Sequence, residues 1–214
     1  MLEDFYYQHG ISNIIYKNLN KDKFINKFFA VKYVGSCMQL ISDFNKESAT
    51  KTHKDWEAYY NSKIGFEELN QISLRINVQY PHLQIDLVKR YVFFRVIGQT
   101  WNGYRKEFYI IENLQKEFPN CEIVKTDFEK DHEYCIDAEM YQNGNLVLGI
   151  QIKPISYKKM NTTYQQKAKE NHKAKNDKYA EDYAPYIYIY YDKDEIVDKQ
   201  ETINKINTIM HLNI

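Results

Sequence analysis

The sequence predicts an α/β (α+β) fold in which a mixed central β-sheet is flanked by helices. Three observations carry this. From Ile85 onward the hydrophobic periodicity runs helix, three strands, helix, strand. A polar, Lys-rich segment separates the last two strands and is long enough for a parallel crossover. With only 7 Gly and 4 Pro in 214 residues, few breaks are forced and long helices are allowed.

The elements follow in order. Asp55-Trp56-Glu57-Ala58-Tyr59-Tyr60 reads as helical, with Trp56, Tyr59 and Tyr60 at i, i+3, i+4 forming an aromatic stripe suited to core packing, and Asp55 able to cap it. Pro81 divides the chain. Beyond it, Leu83, Leu87, Val88, Tyr91, Val92 and Arg95 keep helical spacing into the Val96 region. Gly98-Gln99-Thr100-Trp101-Asn102-Gly103 is expected to break that helix, and a second one runs from Arg105 to Glu117, stopped by Pro119. Strands are expected at Cys121–Thr126, Tyr134–Tyr141 and Leu146–Lys153. A Lys-rich helix over 161–183 and a β-branched, aromatic strand at Pro185–Tyr191 complete the set.

Composition excludes several classes. Lys+Arg and Asp+Glu both number 29, so net charge alone points to no polyanionic partner. The cysteines Cys37, Cys121 and Cys135 are odd in number and widely spaced, which argues against a disulfide framework, and no spacing suggests a zinc site. The opening Met-Leu-Glu-Asp-Phe-Tyr-Tyr lacks a signal-peptide pattern, and no stretch approaches a membrane span. A cytoplasmic protein that engages no membrane is expected.

Residues 135–154 hold the chemistry. They read as two strands joined at Asn143-Gly144, with Asp137 and Glu139 on the first and Gln151-Ile152-Lys153 ending the second. An acid on one strand and a Gln-x-Lys on the next can hold a hard cation beside an ammonium, an arrangement suited to phosphodiester hydrolysis. The same segment also fits an ordinary amphipathic hairpin. Register decides between them. A plain two-residue turn pairs Asp137 with Ile150 and sends Gln151 and Lys153 to the opposite face, whereas a longer loop or a bulge pairs Asp137 with Gln151. The odd register also puts Leu146, Leu148, Ile150 and Ile152 on the core side with Ile136, Ala138 and Met140.

This order of elements, with its acid and its Gln-x-Lys, resembles the PD-(D/E)XK nuclease superfamily. Asp137 matches the first acid, Gln151 stands where Asp or Glu is usual, and Lys153 matches the lysine. The run 89–103 and the segment Gly149-Ile150-Gln151-Ile152-Lys153-Pro154 look like the type II restriction endonucleases of the MjaI kind, over roughly residues 30–192. The resemblance implies a restriction-endonuclease-like core at 85–192, preceded by a mainly helical region at 1–84 for DNA recognition or dimerisation. A helical tail follows at 193–214, and the whole makes one compact domain. It also implies a Mg²⁺-dependent homodimer that cuts double-stranded DNA at a short palindrome, CTAG. Asp137, the amide oxygen of Gln151 and the carbonyl near Ile152 would ligate the cation, and Lys153 would orient or deprotonate the attacking water.

Gln151 is neutral, so a further carboxylate is expected nearby, with Glu107 the first candidate and Glu139 the second. Lys173, Asn176 and Lys178 on the Lys-rich helix are candidates for DNA contact, as is the patch Lys51, His53 and Lys54; a solvated face explains the same lysines. Two other functions fit the pattern. One is a structure-specific repair or recombination nuclease, and the other a non-catalytic nucleic-acid-binding module whose site has decayed, for which Gln151 is the main support.

Overall fold

The computed structural model describes residues 19–49, 51–193 and 195–212; the opening stretch read for a signal peptide lies outside them. Two compact units divide the chain between Tyr104 and Arg105. In the first, helices α1 (Lys23–Phe28), α2 (Met38–Glu47), α3 (His53–Lys63), α4 (Glu67–Gln79) and α5 (Ile85–Phe93) lead into a π-helical turn at Phe94–Gly98. The aromatic stripe of α3 is core, as expected: Trp56 and Tyr60 are fully buried, and the Trp56 indole donates to the Ile97 carbonyl at 3.1 Å. Thr52 rather than Asp55 is the N-cap, with Asp55 three residues on returning the bond to the Thr52 backbone in a capping box.

The Gly98–Gly103 cluster does not break the helix. Helix α6 runs unbroken from Gln99 to Glu117. Its one interior glycine, Gly103, costs roughly 1 kcal/mol, which the burial of Trp101 and Tyr104 on the same turns offsets. The local irregularity is displaced upstream into the π-turn.

In the second unit a five-stranded sheet has the order β1 (Cys121–Lys125), β2 (Ala138–Gln142), β3 (Asn145–Pro154), β4 (Tyr186–Asp192) and β5 (Glu195–Ile196). Only β3 and β4 are parallel; the other neighbours are antiparallel. The fold class is therefore α+β, with the mixed sheet and Lys-rich crossover helix that the sequence predicts. That helix, α8 (Thr163–Asp182), covers one face, while α6 and α9 (Lys199–Leu212) pack on the other around Ile110, Leu114, Ala138, Met140, Leu148, Ile150, Ile152, Ile189 and Ile206. The C-terminal segment thus closes the core through Ile206 and Met210.

One short helix was not expected. Helix α7 (Phe128–Tyr134) occupies the start of the stretch expected to be strand, because Asp127 caps it through Lys130 and Cys135 ends it in the left-handed region, at φ 55°. Strand β2 begins only after that reversal.

The hairpin turn is the two-residue kind, with Asn143 and Gly144 both at positive φ. It pairs Gln142 with Asn145 and Tyr141 with Leu146, but the next pair is Met140 with Leu148. Val147 is the extra residue of a β-bulge, and beyond it Ala138 pairs with Ile150. The bulge therefore supplies the odd register. It also corrects two core assignments: Leu146 and Ile136 pack with Tyr134 and Tyr179 under α8, and Val147 joins the opposite cluster.

Candidate active site

Strand β2 begins one residue after Asp137, whose N–H donates to Ile150 O at 2.9 Å. Where the ladder stops, the Asp137 carboxylate takes over as acceptor for the Ile152 N–H, at 2.6 Å. The same oxygen lies 3.7 Å from the Lys153 ammonium. Asp137 is 3% exposed and Gln151 1%, so the acid, amide and ammonium meet where water is scarce and electrostatic interactions are strong.

Gln151 Oε1 is buried without a hydrogen-bond partner. Leaving such an oxygen unpaired costs roughly 1–3 kcal/mol. A hard cation is the kind of partner that this oxygen and the neighbouring Asp137 carboxylate fit. Glu107, reaching in from α6, pairs with Lys125 at the end of β1. Burial pushes its carboxyl above the usual range, Lys125 pulls it back, and the Asp137 charge raises it again. Glu107 is thus within electrostatic range of Asp137, while no group of three or more His, Cys, Asp or Glu placed to hold a metal ion is found among the described residues.

Burial works against the Lys153 charge, but Asp137, Glu107 and Asp131 outweigh it and hold the ammonium above the ordinary lysine value. Lys153 is therefore held as a cation, which suits it to stabilising charge on a phosphate.

Asp131, on α7, is a member of this cluster that the sequence reading missed; only its helix, itself unforeseen, brings it there. Burial, followed by the charges of Asp137 and Glu107, raises its carboxyl from 3.8 to about 7. The folded state thus keeps a proton that the unfolded chain loses near the ordinary value, so stability falls as pH rises from about 4 to about 7 and stays lowered above. Asp131→Asn is expected to raise the melting temperature at about pH 8, with the gain vanishing by about pH 4, as thermal unfolding across that range would register.

Glu139 is spoken for. It accepts from the hydroxyls of Tyr179 at 2.6 Å and Tyr141 at 2.8 Å and pairs with Lys130 at 2.6 Å. Burial pushes its carboxyl up, but these donors prevail and hold it below the usual range. A carboxylate so saturated has little capacity left for a cation, which removes it as the compensating acid.

Asn176 also needs correction as a DNA contact. It is fully buried, donates 2.9 Å bonds to the carbonyls of Tyr134 and Cys135, and accepts from Tyr188 at 2.6 Å. Its work is to satisfy the carbonyls at the end of α7 and tie them to α8.

Lys173 and Lys178 are exposed and paired with Asp177 and Glu133, and Lys175 caps the His132 carbonyl. In the first unit, Lys51 and Lys54 are exposed, while half-buried His53 lines a cavity of about 250 Å³ with Glu57, Lys89, Arg90 and Phe93.

A comparison with known protein families matches residues 19–207 to the MjaI restriction endonucleases. The chain belongs to the MjaI restriction endonuclease family. The match takes in every residue of the cluster above, so the α+β core is the core of a restriction-endonuclease family member, whose substrate is DNA. No curated protein and no solved structure matched the chain. No helix among the described residues is long and apolar enough to cross a membrane.

Proposed function

We propose that this MjaI-family chain is a Mg²⁺-dependent type II restriction endonuclease that hydrolyses both strands of a short palindrome, CTAG. The observation that carries the reading is the buried, unpaired Gln151 Oε1 beside the Asp137–Lys153 pair. Asp137, the Gln151 amide oxygen and the Ile152 carbonyl are the groups that would hold the cation, with Glu107 the nearby carboxylate. A bound divalent cation would polarise the phosphate and lower the pKa of water. Lys153, kept charged by its acidic neighbours, stabilises negative charge gathering on the phosphate oxygens. Asp137 holds the end of β3 in place through the Ile152 N–H and so fixes where Gln151 and Lys153 present themselves.

A palindrome is matched by two-fold symmetry in the protein, so the working form is a homodimer. Incubation with plasmid DNA and Mg²⁺ tests the reading. Discrete fragments ending at one sequence are expected. Cutting confined to branched or damaged DNA would point instead to a repair nuclease, and intact DNA to a binding module.

Lys173 and Lys178 contact phosphates on this reading, and in the first unit Lys51, His53 and Lys54 do so separately. Exposed ion pairs are weak in water, so the partners Asp177 and Glu133 release the lysines readily to a phosphate. Replacing Lys173 and Lys178 together with Ala is expected to weaken binding to all sequences alike. The slope of log K against log salt should also fall, by up to about two units. A titration over several salt concentrations measures both, and an unchanged slope would assign these lysines to solvent.

A further inference from the structure

Helix α8 runs down the face of β3 in step with the site. The Tyr179 ring lies over Gly149, where even a Cβ would come within 2.4 Å of it. One turn back, Asn176 bonds Tyr188, the β4 partner of Gln151. One turn further, at i−4 from Asn176, comes His172, within electrostatic range of Lys153 and Asp137. Its ring stacks on Tyr157 with centroids 5.9 Å apart and planes 12° from parallel, and its Nδ1 lies 3.1 Å from the Tyr157 hydroxyl. Tyr157 in turn stacks on Tyr188. Tyr157 therefore holds the imidazole at both its face and its edge, on the helix that covers β3.

We propose that His172 is the proton acceptor for the attacking water, an inference that rests on the nuclease reading above. In the tautomer whose Nδ1–H donates to the Tyr157 hydroxyl, Nε2 carries the lone pair that the water's proton needs. The water oxygen bonds to phosphorus and its proton passes to Nε2. The bond from phosphorus to the leaving deoxyribose oxygen breaks, and that oxygen takes a proton from solvent. The imidazolium then returns its proton to solvent, so one water is consumed for each bond cut. The groups facing His172 are Lys153 from β3, Lys175 from its own helix, Asp137 at the entry to β2, and Tyr157. Burial, then the charges of Lys153 and Lys175, keep the ring neutral below the ordinary histidine value, with Asp137 opposing them.

The test measures single-turnover cleavage of plasmid DNA in Mg²⁺ across pH for wild type, His172→Ala and His172→Gln, each checked for folding by thermal unfolding. Gln preserves a donor to Tyr157 but is no base. Both variants are expected to bind DNA as wild type does, to cleave about 10²–10⁴-fold more slowly, and to lose the rise in rate that the wild type shows as its histidine deprotonates. Added imidazole should restore cleavage to His172→Ala in proportion to the unprotonated form, and should do nothing for Lys153→Ala. A wild type that cuts while folded His172→Gln cuts equally fast, with the same pH profile, overturns the role of His172 alone. A wild type that cuts no DNA overturns the nuclease reading and this inference with it.

Discussion

Asp137→Ala is expected to lower DNA cleavage at least about 10³-fold while DNA is still bound. The carboxylate has three tasks at one point. It is the charged member of the proposed cation site, the partner of the Lys153 ammonium, and the acceptor that closes the β3 edge at Ile152. Alanine removes all three and leaves Lys153 facing Glu107 and Asp131 alone. Breaking such a buried pair costs about 3–5 kcal/mol, so a loss of activity in this variant could also reflect unfolding. Asp137→Asn separates the two. Its amide oxygen still accepts from Ile152, so the β3 edge stays closed and the melting temperature should fall less than in the alanine variant, while cleavage should fall nearly as far. DNA affinity measured with Ca²⁺ in place of Mg²⁺ should remain in both, because most phosphate contacts lie elsewhere. Full cleavage by either variant would show that the chemistry is done at another place.

The Gln151 series is expected to give opposite signs for stability and activity. Gln151→Leu deletes an oxygen that is buried without a partner, which should stabilise the metal-free protein by about 1–2 kcal/mol and abolish cleavage. Gln151→Glu restores the acid common at this position. It should keep metal-dependent cleavage and respond at lower Mg²⁺, but it crowds another carboxylate against Asp137, Glu107 and Asp131. Without metal it should therefore be less stable than wild type, and the difference should shrink as Mg²⁺ is added. Denaturant unfolding with and without Mg²⁺, set beside cleavage rates, reads out both. A Gln151→Leu variant that is no more stable and still cuts would remove the amide from the site.

The strands and the crossover were legible because their periodicity is strong and local: Ile150 and Ile152 alternate with Gln151 and Lys153, and Tyr186 to Tyr191 cannot pack well as anything else. Gly98 and Gly103 misled because propensity is a weak prior that tertiary burial of Trp101 and Tyr104 overrides. Helix α7 was missed for a related reason. Its seven residues include a single fully committed core residue, Tyr134, and the Asp127 cap that starts it resembles any loop aspartate. With α7 unread, Asp131 had no route to the site. Asn176 was misjudged because polarity was read as exposure, and Glu139 because a carboxylate near the site was read as one with bonding capacity to spare; only the packed partners of each show where that capacity goes.

The bulge at Val147 makes the site sensitive to how the hairpin closes as well as to its residues. With Val147 looped out, Met140 stands across from Leu148 and Asp137 falls across from Gln151. Were Val147 drawn into the ladder opposite Met140, Asp137 would fall across from Ile150, and Gln151 and Lys153 would turn over with every residue between. The strand thus has a reading frame, and Val147, by standing outside the ladder, sets it. Deleting its codon removes the extra residue without moving the frame, since Met140 still meets Leu148. Adding a residue between Leu148 and Gln151 would instead exchange inside for outside at Gln151 and Lys153.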